Sequence, residues 1–527
     1  MKKIISGYIV IFILLIATGC KKWVKETPLS DGTLDNFYKS KYDADAALAG
    51  MYGQFQQLMY GESQFNNRYT FWGDARSDNM ERQAQYSNSS TTEIHYNSLT
   101  ANNNFADWSP LYIAIGRANM NIAKFPQINQ IAPPADQLTL ATLNSYMAQC
   151  YAMRGICYFY IARVWGGAPI RTEPFLQYTA NAEGPRKPAD SVLAQAISDF
   201  TTAYNLTAKG GTPTVWYIGE GAICAMLADV YMWKHDYDNA IIWFKNLWKA
   251  KSPTGTTYNS AGVTTTGSGG ASGDLEATGN WKTIFTTPGS VKETIWTLNW
   301  DVAANGCPCM SGISSAVNNT PMRTYEFLFK GPYLGNWIKS TTDVRPKQSI
   351  DVTKTDNWDR LLKWYGPSGF TNASTTYLTS TQSAAAVGTD KVVYLPMYRL
   401  ADMYLLYAEA LNKKGDRTNA LKYLNVVHQR AGNAAYTLPQ VTTEGMMEDT
   451  ILVERQKELF AEGKRWFDLV RTDHVLQIMD PVLKQRQNLA GADTIGFGGD
   501  KRKYFWPLHR NVLNANSQLV QNPPYGG

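Results

Sequence analysis

Histidine is scarce in this chain, with five residues in 527, at positions 95, 235, 428, 474 and 509. So wide a scatter excludes a His-Glu-x-x-His zinc site, and neither a Gly-x-Ser-x-Gly elbow nor a Walker loop is present. Ser77-Asp78-Asn79 imitates one β-lactamase box, but no Ser-x-x-Lys or Lys-Thr-Gly accompanies it. A glycosidase needs only two carboxylates about 5–9.5 Å apart. With 44 acidic residues some such pair always exists, so acid content alone does not argue for hydrolysis. Charge is thin, at 18% of the chain and a net +6, which excludes a strongly basic nucleic-acid face. Cysteine is sparse too, and six residues give no framework of paired spacings. Cys150, Cys157 and Cys224 lie in apolar helical patterns and read as buried small hydrophobes. Cys307-Pro308-Cys309 admits a strained bridge or half a metal site, but no second Cys or His pair accompanies it and a structural loop fits better.

Long apolar runs are also missing. The longest, from Ile4 to Ala17, is interrupted at Ser6, Gly7 and Tyr8, and it falls short of the ~20 residues needed to span a bilayer. Lys2 and Lys3 precede it, and Ala17-Thr18-Gly19-Cys20 follows, the layout of a signal peptide over residues 1–19. The four small residues before Lys21 resemble a bacterial lipobox, with Ala17 where Leu is usual. The resemblance implies an acylated Cys20 at the new N-terminus, held by several acyl chains because one anchors only marginally. An ordinary cleaved signal with an incidental cysteine is the plainer alternative.

Aromatic residues are what the chain has in plenty: 31 Tyr, 19 Phe and 16 Trp, 13% in all. Helical spacing dominates residues 35–250 and 390–475, and polar, Gly- and Ser-rich sequence fills much of 251–390. Leu227, Ala228 and Tyr231, then Asp236, Ala240, Phe244 and Leu247, follow the offsets of a tetratricopeptide helix pair. Tyr407, Ala408 and Leu411, then Ala420, Leu424 and Val427, repeat those offsets around a Gly415-Asp416 turn. A third pair is partial: a helix from about Leu143 to Trp165, ended by Gly166-Gly167, and a second carrying Ala196, Phe200 and Ala203. The expected fold class is mostly α, a tetratricopeptide-like helical-repeat scaffold with long loop-rich excursions and minor β. Matching helical halves flank the middle, so residues 20–527 are expected to form one domain, with 391–527 as helical half and cap. Glu293–Trp300 and Lys391–Leu395 read as short strands.

Three strings then carry a family resemblance. Arg154 to Pro169 is a long aromatic helix ending in Trp-Gly-Gly-Ala-Pro. Glu454 to Arg471 reads ERQKELFAEGKRWFDLVR, and Phe505-Trp506-Pro507-Leu508 leads to Asn522-Pro523-Pro524-Tyr525. Together these resemble the SusD/RagB family of Bacteroidetes outer-membrane nutrient-binding lipoproteins. The resemblance implies a non-catalytic, cofactor-free surface protein that captures an oligosaccharide or polysaccharide for a TonB-dependent SusC-type transporter. Peptide or other nutrient capture on the same scaffold, and surface glycoside hydrolysis, are the alternatives. Acidic residues just after the lipidated cysteine favour surface display in this family; here Lys21, Lys22 and Lys25 precede Glu26.

The strings themselves have structural work. Leu459, Trp466, Phe467, Leu469 and Val470 fall at burying positions, while Glu454, Arg455, Glu458, Glu462, Arg465 and Asp468 are spaced for local ion pairs. Ligand contacts are expected elsewhere, from aromatics in polar, aperiodic sequence, because sugar C–H faces pack on flat rings and sugar hydroxyls need charged or amide partners. Asp74, Arg76, Asp78, Arg82, Tyr86, Tyr96 and Asn102 qualify in the stretch 72–104, and Trp300, Tyr333 and Trp337 in the middle region. Trp108 is excluded because Trp108, Leu111, Tyr112 and Ile115 keep helical spacing.

Overall fold

The computed structural model describes residues 37–60, 67–82, 88–176, 183–264, 269–270, 273–300, 322–324, 337–338, 340–351, 360–361, 363, 393–489, 491 and 495–526. Cys20, Tyr86, Tyr333 and the Cys307/Cys309 pair lie outside these, as does the polar stretch 367–390.

The chain is mostly helical. In the N-terminal half α1 (Lys41–Tyr60), α2 (Arg68–Gly73), β1 (Met80–Arg82), α3 (Ser89–Tyr96), α4 (Ser109–Ile131), α5 (Leu140–Trp165), α6 (Ala189–Leu206), α7 (Glu220–Trp233) and α8 (Tyr237–Leu247) follow in order. β2 (Thr294–Trp300) and β3 (Met322–Thr324) occupy the middle. β4 (Val393–Arg399), α9 (Leu400–Lys413), α10 (Arg417–Arg430), α11 (Glu444–Glu458), α12 (Arg465–Arg471), α13 (Val475–Leu489) and α14 (Arg510–Ala515) complete the chain. One hydrophobic core runs from Ala44 to Val512. Cys150, Cys157 and Cys224 are buried free thiols within it.

Two hairpins share one turn chemistry. Between α7 and α8, His235 takes a left-handed backbone (φ +58°), and Asp236 caps α8 by accepting from the Asn239 backbone N–H (3.2 Å) and side chain (2.7 Å). Between α9 and α10, Gly415 is left-handed (φ +81°), and Asp416 accepts from Asn419 in the same way, at 3.2 and 2.7 Å. A short acceptor at the N-cap satisfies helix donors that otherwise lack partners, so each Asp fixes where the second helix starts. The hairpins pack on each other through Phe244 and Tyr407, whose ring centroids lie 5.3 Å apart. In the third pair, α5 meets α6 where Gly155 abuts the Phe200 ring, and a Cβ at Gly155 would stand 2.6 Å from it. α5 ends where Gly166 turns left-handed (φ +79°), which a β-carbon resists.

The two sequence-expected strands pair with each other. β2 and β4 run antiparallel with Trp300 opposite Val393, Leu298 opposite Leu395 and Thr294 opposite Arg399, with irregular register around Trp296. β1 pairs antiparallel with β3, Arg82 opposite Met322. The stretch 72–104 is less irregular than its weak apolar pattern implies. α3 forms there because Asn88 and Thr91 make a reciprocal capping box and Ser90, Thr91 and Ile94 bury.

Candidate functional site

The three diagnostic strings converge in the interior, and the residues between α2 and β1 tie them together. Trp165 donates its indole N–H to the Pro507 carbonyl (3.0 Å), and Asn522 donates to the carbonyls of Trp165 (2.9 Å) and Trp506 (2.7 Å), so the C-terminal segment closes over the end of α5. Arg163 of the first string lies over Phe467 of the second, 4.4 Å from its ring centroid.

Arg76, expected at a ligand surface, is instead the junction. Its guanidinium sits 4.0 Å over Trp466 and 5.4 Å from Trp506, and it donates to the carbonyls of Tyr504 (3.0 Å) and Lys503 (2.7 Å). Burial pulls its pKa down to about 10. Asp78 accepts both nitrogens of the Arg465 fork, at 2.8 and 3.0 Å, and the Gln456 amide at 2.9 Å. Asp74 accepts from Asn79 (2.8 Å) and from the Gly463 backbone N–H, and burial raises its pKa to about 7 against those bonds. Asp74, Arg76 and Asp78 are 0, 2 and 5% exposed, and Trp300 and Trp337 are 5 and 4% exposed. Trp300 lies in β2, and Trp337 donates to Asp343 (3.1 Å) beside the Phe460 ring. All five are interior residues of this structure.

The charges of the second string pair mostly across the fold and not, as their local spacing predicts, with neighbours along a helix. Glu458 of α11 accepts from Arg345 (2.9 Å), Arg399 (2.6 Å) and Arg430. Arg399 also binds Glu293 (2.8 Å) and Glu462 (2.7 Å), and Arg345 binds Glu454 (2.7 Å) and Asp343 (2.7 Å). Arg455 joins Asp402 (2.8 Å) to Asp468 (2.9 Å). Within the string, Asp468–Arg471 (2.7 Å) is the local pair. Burial pushes the Glu458 pKa up, but Arg430, Arg399 and Arg345 outweigh it and hold the carboxyl well below its usual range. These charges tie the middle segment, β4 and α11 into one body.

Of the described candidates in 72–104, Arg82, Tyr96 and Asn102 reach the surface. Tyr96 closes α3, and the left-handed Asn97 (φ +53°) ends the helix behind it. Arg82, at the end of β1, donates to the Tyr96 hydroxyl (3.0 Å) and places its guanidinium 5.1 Å from the ring centroid. The Arg82 backbone N–H donates to His95 Nδ1 (3.2 Å), and the His95 ring meets the Tyr96 ring edge-on at 4.7 Å. Arg486 supports β1 from within by donating to the Met80 carbonyl (2.6 Å). Asn102 accepts from Arg510 Nε (3.0 Å) on the neighbouring C-terminal segment. The result is a partly exposed ring with a guanidinium held over it and bonded to its hydroxyl, and an exposed amide six residues further along the chain. Such a surface offers a flat apolar face and multiple N–H donors to a polyhydroxylated ligand. Among the described residues no group of three His, Cys, Asp or Glu side chains is placed to hold a metal ion, and no helix is long and apolar enough to cross a membrane.

Known proteins resemble this chain along nearly its whole length. Residues 249–525 match a family model described as the SusD family, and residues 29–232 match one described as starch-binding, associating with outer membrane. SusD-like protein P38 of Formosa agariphila is 27% identical over 99% of both chains, and SusD-like protein P25 of the same organism is 23% identical over 90% of this chain and 91% of its own. Among solved structures, a SusD superfamily protein from Bacteroides vulgatus superposes with a TM-score of 0.70 at 18% identity, covering 92% of this chain and 99% of its own. A laminarin-binding SusD-like protein superposes with a TM-score of 0.63 at 19% identity, covering 93% and 100%.

Proposed function

The chain belongs to the SusD family, and from that membership we propose that it captures a glycan at the outer membrane without cleaving it, for delivery to a TonB-dependent SusC-type transporter. The match of both halves to SusD-type families, one described as starch-binding, carries this reading. The laminarin-binding neighbour supports a neutral polysaccharide as ligand. Cys20 is the proposed lipid anchor, with residues 1–19 removed as signal peptide. The single core from Ala44 to Val512 supports treating 20–527 as one domain. The two hairpins with a common Asp-cap turn support the tetratricopeptide-like reading of the scaffold.

Arg82 and Tyr96, with Asn102 at the margin, form the proposed capture surface. A sugar ring stacks on the Tyr96 face, and the Arg82 N–H groups replace water around its hydroxyls. Tyr86 and Tyr333 remain part of the proposal on sequence grounds. The test is to incubate the chain from Lys21 onward with laminarin, amylopectin, xylan, galactomannan and a peptide panel, measuring retention and new reducing ends together. Glycan retention with no reducing ends is expected. Sustained turnover by purified protein, or retention of peptides alone, would overturn it.

A further inference from the structure

A second surface pocket, sharing no lining residue with the Arg82 and Tyr96 surface, carries the same recognition chemistry. It lies between the first turns of α1, the N-terminal part of α5 and the loop before α7, lined by Asp45, Leu48, Ala49, Tyr146, Gln149 and Tyr217, with a volume of 270 Å³. Tyr146 stands nineteen residues before Trp165, the α5 end that packs on Trp72 at 5.3 Å. At ~1.5 Å per residue the pocket is therefore ~28 Å along the helix from the Trp72–Trp165 contact.

Each wall is built and fixed. Tyr217 is 47% exposed, and its ring meets Tyr52 edge-on at 5.3 Å. Its loop is pinned on both sides: Ile218 N–H donates to the Tyr52 hydroxyl (2.9 Å), and Thr297 N–H donates to the Val215 carbonyl (2.9 Å). The Tyr52 hydroxyl donates in turn to Gln149 Oε1 (2.8 Å), which orients the buried carboxamide. Among the described residues, Gln149 Nε2 makes one long bond, to Ser145 Oγ (3.4 Å), so donor capacity remains at the pocket floor. The Tyr146 hydroxyl donates to Asp45, whose exposed carboxylate keeps acceptor capacity at the rim. Leu48 supplies an apolar base.

Resting on the glycan-capture reading, we propose that this pocket is a second saccharide subsite, taking one neutral pyranose ring against Tyr217 with its hydroxyls on Asp45 and Gln149. The oriented Gln149 donor favours a hydroxyl oxygen over a cation, which a box of tyrosines and one carboxylate would otherwise suit. The volume lies just under the about 300–1,000 Å³ of drug-sized ligand sites, so it fits one ring and not an enclosed chain.

The test is native affinity electrophoresis of the full mature chain through gels containing laminarin, amylopectin, xylan or galactomannan, comparing wild type with Tyr217→Ala and Asp45→Asn. On whichever glycan retards the wild type, each variant is expected to weaken retardation about 5- to 10-fold, and to remove what remains in Tyr96→Ala. Asp45→Asn keeps the side-chain shape and serves should Tyr217→Ala melt early. Wild-type retardation with both folded variants unchanged overturns the second subsite and leaves the first reading standing. No retardation of wild type by any of the four glycans overturns both.

Discussion

Replacing Glu458 by Gln tests the claim that the family string is an interior electrostatic joint. The side chain is fully buried and accepts from Arg345 (2.9 Å), Arg399 (2.6 Å), Arg430 and the Trp281 indole (3.4 Å). Glutamine has the same shape but no charge, and its NH2 must face a guanidinium donor. Three arginines then share one carboxylate fewer where no water can compensate. Removing one partner of a buried ion pair costs ~3–5 kcal/mol. The matched control is Asp238→Asn, whose exposed Lys414 partner stands 2.9 Å away. There solvent screens the pair, and a loss of ~0–1 kcal/mol is expected. Urea unfolding at pH 7, read as midpoint and slope, measures both. The pH dependence gives a second reading. The folded Glu458 pKa is depressed, so its stabilisation is fully present above the unfolded value near 4.5 and is lost as pH falls below it. The gap between wild type and Glu458→Gln therefore narrows on acidification. A Glu458→Gln protein within ~1 kcal/mol of wild type at pH 7 would show that Glu458 is no such joint.

Other perturbations follow from the same structure. Gly73→Ala would put a Cβ 2.1 Å from the Gly463 carbonyl, a backbone atom that cannot swing aside, so a loss of ~1–3 kcal/mol or more in urea unfolding is expected. Asp402 is buried, which raises its pKa, but Lys464 and Arg455 outweigh this and lower it to about 2 from 3.8. Its contribution of ~2 kcal/mol is present above pH 4 and lost towards pH 2, so Asp402→Asn should flatten the acid limb of stability against pH. Asn522→Ala strips donors from the Trp165 and Trp506 carbonyls and should cost ~1–3 kcal/mol, seen as a lower melting temperature with glycan retention intact below it. Tyr96→Ala, by contrast, should leave melting nearly unchanged and weaken glycan binding by ~1–2 kcal/mol, about 5- to 30-fold by titration calorimetry.

The helices were legible because their signals are local. Asp236 and Asp416 cap the helices that their positions announce, and Gly166 ends α5 where the Gly-Gly pair marks a stop. Burial of Cys150, Cys157 and Cys224 followed from apolar spacing in the same way. The site was harder to read, because polar and aromatic residues in aperiodic sequence look alike whether they face water or a distant partner. Asp78 meets Arg465 across 387 residues, and no local pattern reports that pairing. A usable signal did exist in the second string. Its acids and arginines alternate with core residues such as Leu459 and Trp466, so charges on that path must find partners inside the protein. Asp74, Arg76 and Asp78, three ionisable residues within five positions beside a buried α2, were the available partners. The second pocket had no sequence signature, since Asp45, Tyr146 and Tyr217 come from three separate segments joined only by packing.

Glycan capture at Tyr96 is tested most simply by a crystal structure of the mature chain soaked with an oligosaccharide of the retained glycan. An intact sugar chain is expected, with a ring stacked on Tyr96 and its hydroxyls within hydrogen-bond reach of Arg82. An oligosaccharide bound with no ring at Tyr96, or a cleaved one, would contradict it.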